Sequence, residues 1–412
     1  MIYLDNGATT QMRNGVLDAM LPYLQEEYGN PFGRSALNRS SGAAVERARR
    51  NIADLIHADY KEIFFTSGGT EADNWVIKQL LAPECCKEAG RFSGHLIVSE
   101  VEHHAVLRPA EYLRKIGMDV TVVPADHNGR VDPEAVRQAV RADTRLVSVM
   151  LANNEIGTIE PVREIAEIAH AHGILMHTDA VQAVGHIPVD VQELGVDFLS
   201  ASSHKFGGPK GTGFLYIRRG ILPEPLMHGG AQERGLRAGT HNVPAIVGMG
   251  KAAELCAGSM REEAAYEAEL RDHMTGRILQ EIPGSFLNGD PERRLPGNCN
   301  VTIPGLENEA ALVRLDQEGI CAAAGSACSA GAAEPSHVLK AIGRTDEEAS
   351  CSLRFTMNYR NTLEEIDRTC DCLKAIAENC RKGRLSHGKS AGGHERRSRQ
   401  QCRRLSYKKG RI

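Results

Sequence analysis

Aromatic residues are scarce in this chain, 5% of 412 residues with a single Trp, and no apolar stretch exceeds the size of Leu146–Ala152. Crossing a bilayer as a helix takes roughly 20 consecutive apolar residues, so a membrane protein of that kind is excluded. The opening Met1-Ile2-Tyr3-Leu4-Asp5 has neither a charged start nor an apolar core followed by a small-residue cleavage site, and no secretory signal is expected. The eleven cysteines are odd in number and irregularly spaced; Cys85-Cys86 and Cys370-Asp371-Cys372 match no metal or redox template. Reduced, buried thiols in a cytoplasmic protein are the expectation. No repeat of solenoid period is visible.

What is present is a balanced globular composition, 42% hydrophobic with 49 basic and 53 acidic residues, long enough for two domains. The charge is uneven. Residues 381–412 hold twelve of the basic residues and one of the acidic ones, which makes this end +11 and the body −15. Such a segment cannot bury enough surface to fold alone and is expected to be disordered. A solvated tail is favoured over RNA or acidic-protein contact through Arg396-Arg397-Ser398-Arg399 and Arg403-Arg404, because only Tyr407 could offer a stacking platform.

Between about Asp59 and Gly213, short β-rich runs alternate with helical periodicity, which predicts an α/β domain with a mostly parallel sheet covered by helices. Strands are expected at Ile63–Phe65, His95–Ser99, Asp119–Val123, Leu146–Leu151, Ile174–Thr178 and Phe198–Ala201, and helices at Thr70–Leu81 and at Val162–His172 between Pro161 and Gly173. A long amphipathic stretch around Val243–Leu279 leads into a smaller α+β region. That region ends in a helix with Leu363, Ile366, Cys370, Leu373 and Ile376 on one face, capped by Thr362 and Glu365.

Unusual polar residues gather after five strand ends: Thr66 to Glu71, Glu102-His103-His104, Asn153-Asn154-Glu155, Asp179 with Gln182, and Ser202-Ser203-His204-Lys205. Open parallel sheets bind ligands beyond the carboxyl ends of their strands. Singly, each group has a plain reading: a helix cap, a satisfied histidine, a solvated lysine. Together they supply what one ligand needs. Gly68-Gly69-Thr70 offers N–H groups at a helix start for a phosphate, and Asp179 offers a negative charge for a protonated ring nitrogen. An imidazole can stack on the ring. Lys205, read as lying at the sheet's edge among apolar and small residues, has a setting that favours a nucleophilic amine. These are the parts of a pyridoxal 5'-phosphate site. Gly208-Pro209-Lys210-Gly211-Thr212-Gly213 fails the nucleotide phosphate-loop pattern and reads as a tight turn.

These motifs resemble those of the cysteine desulfurases in the class V aminotransferase family. The likeness runs through Tyr3–Thr10, Thr66–Asn74, Glu102-His103, Asn153–Gly157, His177–Gln182, Ser202–Gly211, Met227–Gly230 and Arg237–Thr240. Gly325-Ser326-Ala327-Cys328-Ser329 is similar to the active-cysteine loop of the housekeeping and nitrogen-fixation group. The resemblance implies the type I fold of pyridoxal phosphate transferases, with a large, mainly parallel seven-stranded domain (15–257) and a small α+β domain (1–14 and 258–380). It implies that Lys205 holds the cofactor, Asp179 pairs with its ring nitrogen, Gln182 meets the ring hydroxyl, and His103 stacks and assists proton transfer. Gly69, Thr70, Ser202 and His204 would hold the phosphate together with Thr240 from the second subunit of a homodimer. Arg354 would bind the carboxylate of L-cysteine, with Asn154 beside it at both cofactor and substrate. Cys328 would take the sulfur as a persulfide, releasing alanine, and pass it to an acceptor protein, an iron–sulfur scaffold or a tRNA-thiolation enzyme. No resident metal is implied, only transient ligation of an iron–sulfur cluster by Cys328. An aminotransferase or selenocysteine lyase of the same fold is the second reading, and a non-catalytic sulfur-carrier or RNA-associated subunit the third. Two stretches depart from the family pattern: Phe32-Gly33-Arg34-Ser35-Ala36, and the basic end.

Overall fold

The computed structural model describes residues 1–79, 86–87, 91–92, 94–325 and 335–381; Cys328 and the basic segment after Arg381 lie outside the described residues. The central sheet has seven strands: β1 (Ile63–Thr66), β2 (His95–Ser99), β3 (Asp119–Val123), β4 (Thr144–Ser148), β5 (Leu175–Asp179), β6 (Phe198–Ser202) and β7 (Gly213–Ile217). Their spatial order is β1-β7-β6-β5-β4-β2-β3. β7 runs antiparallel to both neighbours, and every other pairing in the sheet is parallel.

The strands read as nearly continuous apolar runs because both faces are covered. Ile63, Phe65, Val147, Met176 and Leu199 enter one core; Phe64, Leu146, Phe198 and Leu215 enter the other. Helices Gly69–Lys78 and His104–Lys115 contribute Trp75, Val76, Val106 and Leu113 to the second face. Ala36–Leu55 and Val162–Ala171 cover the first. Pro161 is the N-cap of the latter helix, and Gly173 follows its end at φ +69°, the left-handed geometry a helix exit favours.

A third core lies around the antiparallel strands Phe286–Leu287, Asn298–Thr302 and Ser352–Thr356. The 39-residue helix Val243–Glu281 serves two cores, with Ile246, Met249 and Ala253 in the first and Leu270, Met274 and Ile278 in the third. The expected capping box of the final helix Leu363–Arg381 is formed, Glu365 N to Thr362 Oγ1 and Thr362 N to Glu365 Oε2 both at 3.3 Å. Among the described residues no helix is long and apolar enough to cross a membrane.

Besides small changes of element ends, such as the helix Gly69–Lys78 stopping short of Leu81, two expectations shift near the site. β4 stops at Ser148 rather than Leu151, because its neighbour β2 has ended at Ser99 and the Glu102 carboxylate takes the Met150 N–H at 2.8 Å. Lys205 is not at a sheet edge, since it follows β6, an interior strand between β5 and β7.

One buried ion pair holds an uncommon backbone. Glu233 (φ +45°) and Arg234 (φ +57°) are consecutive non-glycine residues in the left-handed region, at a cost of about 1–3 kcal/mol each. The Glu233 carboxylate accepts from Arg49 Nη1 and Nη2 at 2.8 Å and from Phe65 N at 2.9 Å, and His241 Nε2 lies 2.6 Å away. Arg234 donates to Ile63 O at 2.8 Å, so the turn is clipped onto β1. Burial alone would raise the Glu233 pKa, but the hydrogen bonds from Arg49 and His241 outweigh it and hold the group at about 2. Arg49→Ala strands this anion and is expected to cost about 3–5 kcal/mol in urea unfolding at pH 7. Because the folded pKa is depressed, this stabilisation is present above the ordinary value of 4.5 and fades as pH falls toward 2. A difference under about 1 kcal/mol at pH 7 would contradict the assignment.

Candidate active site

The strand ends converge on a cavity of about 210 Å³ between the central sheet and the small antiparallel sheet of the third core. Of the residues singled out in the sequence, Gly69, Thr70, His103, Asn154, Asp179, Gln182, Ser202, His204, Lys205 and Arg354 all line it. Thr240 does not; it is exposed in the loop ahead of helix Val243–Glu281.

One end of the cavity is built for an anion. Gly68 sits at φ +154°, and a Cβ on Gly69 would lie 2.5 Å from Val181 Cγ2, so the backbone itself faces the space at the helix start. The first N–H groups of a helix have no intrahelical acceptor, and the dipole there favours negative charge. The one acid in the first turn, Glu71, is engaged by Arg237 at 2.8 and 3.0 Å and by Ser67 N at 2.8 Å. Ser202 closes this end from β6. His204, 3.1 Å from Thr9 Oγ1, is pushed down to about 4 by burial and the charges of Lys205 and Lys210.

The other end presents opposed charges. Asp179 ends β5, 5% exposed, with Oδ1 accepting from Val181 N at 2.9 Å. It therefore fulfils the capping role as well as facing the cavity. Burial raises its carboxyl to about 6, against the opposing pull of Lys205. Lys205, in the turn after β6, donates from Nζ to Gly7 O at 2.5 Å and Ala8 O at 3.0 Å. Gln182 Nε2 donates to Gly7 O at 2.9 Å. His103 caps its helix through Nδ1, which accepts from Ala105 N at 3.1 Å. That assigns the proton of the neutral ring to Nε2. Burial, then the charges of Lys205, His104 and His337, lower its pKa to about 4.

Arg354 forms the third wall. It is 1% exposed on strand Ser352–Thr356, donating to Asn154 O at 3.0 Å and Asp5 Oδ1 at 2.8 Å. Its buried Nε has no hydrogen-bond partner among the described residues. Ala323 and Arg354 exchange backbone hydrogen bonds at 3.1 and 2.7 Å, and Ser336 Oγ donates to Glu155 Oε2 at 2.5 Å. The chain is thus fastened to this wall on both sides of residues 326–334. Among the described residues no group of His, Cys, Asp and Glu is arranged to hold a metal ion.

A helix start with open amides, a buried carboxylate, an opposed amine and an imidazole form a donor set that fits pyridoxal phosphate. Sequence reasoning missed the Gly7 and Ala8 carbonyls that receive Lys205, since backbone acceptors leave no residue-type signal. It also missed Asp73, which lines the cavity. The signal was its spacing, three residues after Thr70 on the same helix face.

Because Asp179 titrates higher in the fold than in the unfolded chain, its ionisation opposes folding of cofactor-free protein as pH rises from about 4 through about 6. Asp179→Asn should remove this penalty, on the order of 1–3 kcal/mol, so that the variant loses less stability between pH 4 and 7. Parallel melting curves for wild type and variant would contradict the assignment.

Residues 2–369 match the class-V aminotransferase family. A cysteine desulfurase IscS from Methanosarcina thermophila is 47% identical over 380 residues, covering 92% of this chain and 93% of that one. Another from Dictyoglomus turgidum is 48% identical, covering 92% and 95%. Among solved structures, a NifS-like protein superposes with TM-score 0.83 at 37% identity, over 92% of this chain and 98% of its own. SspA in complex with cysteine superposes with TM-score 0.77 at 35% identity, over 88% and 100%.

Proposed function

We propose that this chain, which belongs to the class-V aminotransferase family, is a pyridoxal phosphate-dependent cysteine desulfurase that converts L-cysteine to L-alanine and passes the sulfur, through a persulfide on Cys328, to an acceptor protein. The observation that carries this reading is the meeting of Lys205, Asp179 and Arg354 in one cavity, with the chain on both sides of the Cys328 segment fastened to its wall.

The bound cofactor supplies an electron sink beside the substrate's α-carbon. Gly69, Thr70, Ser202 and His204 would hold its phosphate, Asp179 its ring nitrogen and Gln182 its ring hydroxyl, and His103, neutral above pH 4, would stack on the ring. Lys205 anchors the cofactor and then moves the substrate's α-proton. Arg354 binds the substrate carboxylate through its planar fork, with Asn154 alongside. The Cys328 thiolate attacks the substrate sulfur; an S–S bond forms, the C–S bond breaks, and its electron pair stays on the carbon that becomes the methyl group of alanine. The persulfide is the protein's product of that exchange.

Two cores joined by helix Val243–Glu281 support a division into a large domain over 15–257 and a small one over 1–14 and 258–380. A homodimer brings Thr240 to the phosphate of the second subunit. The exposure of Thr240 and of Leu17, Leu21, Leu24 and Phe32 supports such an interface. A reducing, cytoplasmic location is supported by the seven cysteines whose side chains are described, all of them free.

Incubation of cofactor-loaded protein with L-cysteine should yield alanine and a sulfur adduct on Cys328 by peptide mass. Cys328→Ala should keep the visible absorbance of the bound cofactor and form no alanine; full activity in that variant would favour an aminotransferase or lyase without a thiol step. Lys205→Ala should lose the visible band, and a persisting band would overturn the anchor. Arg354→Lys should raise KM for cysteine about tenfold or more through loss of the bidentate fork, and an unchanged KM would remove Arg354 from the substrate site.

A further inference from the structure

A second carboxyl lines the cavity, and none of the roles above uses it. Asp73 stands on helix Gly69–Lys78, 1% exposed, and lines the cavity. Its Oδ1 makes no hydrogen bond among the described residues, and the Ser200 hydroxyl is a neighbour of the carboxyl. His177 Nε2 stands 3.6 Å from Oδ1.

His177 is itself locked in place, Nδ1 against Ser148 Oγ at 2.8 Å and Nε2 against Ser200 Oγ at 3.0 Å. Complete burial lowers its pKa to about 3, so it brings no positive charge to Asp73. His177 and Asp179, two residues apart on β5, share a face of the sheet.

Two buried carboxyl groups lining one cavity do not both ionise readily. Asp179 faces the charge of Lys205. Asp73 faces Asp179 and Glu102, and burial together with those two neighbours pushes its carboxyl well above the usual range. Glu102 is committed elsewhere, accepting from Ser99 Oγ at 2.6 Å and Met150 N at 2.8 Å.

We propose that Asp73 is a positioning residue of the cofactor site: an uncharged acid packed 3.6 Å from the His177 imidazole, it backs the Ser200–His177–Ser148 chain and leaves Asp179 as the anion presented to the ring nitrogen. The inference rests on the cofactor reading above and deepens it. One rigid helix then sets both ends of one ligand, its first residues at the phosphate and Asp73, a turn later, behind the nitrogen.

Asp73→Asn preserves the shape and neutrality of the acid, and Asp73→Ala removes the group. In cofactor-free protein at pH 7, the infrared difference between wild type and Asp73→Asn should contain the carbonyl band of a protonated carboxylic acid; carboxylate bands in its place would overturn the proposal. On titration with pyridoxal phosphate, Asp73→Ala should bind about tenfold more weakly, with Asp73→Asn within about twofold of wild type. Equal losses in both variants, or none in Asp73→Ala, would overturn it. The pH titration of the bound cofactor's visible band should be unmoved in Asp73→Asn, whereas a fall of about one unit would mark Asp73 as an anion and overturn it. If the cofactor reading itself fails, Lys205→Ala keeps the band while the infrared result still reports the state of Asp73.

Discussion

The structure turns on one electrostatic opposition, a carboxylate at the end of β5 and an amine in the turn after β6, enclosed together. Asp179 alone in that space would resist ionisation; the charge of Lys205 works against its burial. The parallel pairing of His177 with Phe198 and Asp179 with Ser200 brings the two strand ends level. A short turn after Ser202 then returns Lys205 over the cavity. A one-residue slip of that register would move Asp179 to the other face of the sheet.

The cavity is closed by chain segments far apart in sequence. Asp5, Gly7 and Ala8, beside the small core, accept hydrogen bonds from Arg354, Gln182 and Lys205. The amino-terminal segment therefore ties the small sheet to the large one at the point where the chemistry is proposed. Arg354 is tied to the same segment, its fork split between Asp5 and the Asn154 carbonyl. Held there, the guanidinium gives the proposed site a reason to prefer an amino acid, with its carboxylate, over a plain amine.

Much of this was legible in the residues because the fold spends its polar groups unevenly. Strands buried on both faces are written as apolar runs, so polar clusters at their ends stand out, and ten of the residues singled out meet at one cavity. Helix limits were legible where Pro161, Gly173 or Thr362 with Glu365 punctuates them. Three kinds of feature were not legible. Backbone acceptors such as Gly7 O carry no residue-type signal. The sheet order, which makes β6 interior, depends on long-range pairing that periodicity does not encode. The left-handed turn at Glu233 is imposed by Arg49, nearly two hundred residues away, against local preference.

The central claim is that Lys205, and no other amine, carries the cofactor opposite Asp179. Borohydride reduction of the pyridoxal phosphate-loaded protein, followed by peptide mass spectrometry, reads this directly. The account predicts one reduced pyridoxyl adduct per chain, on the peptide containing Lys205. Labelling confined to a different lysine, or no stable adduct in a protein that still turns over cysteine, would contradict it.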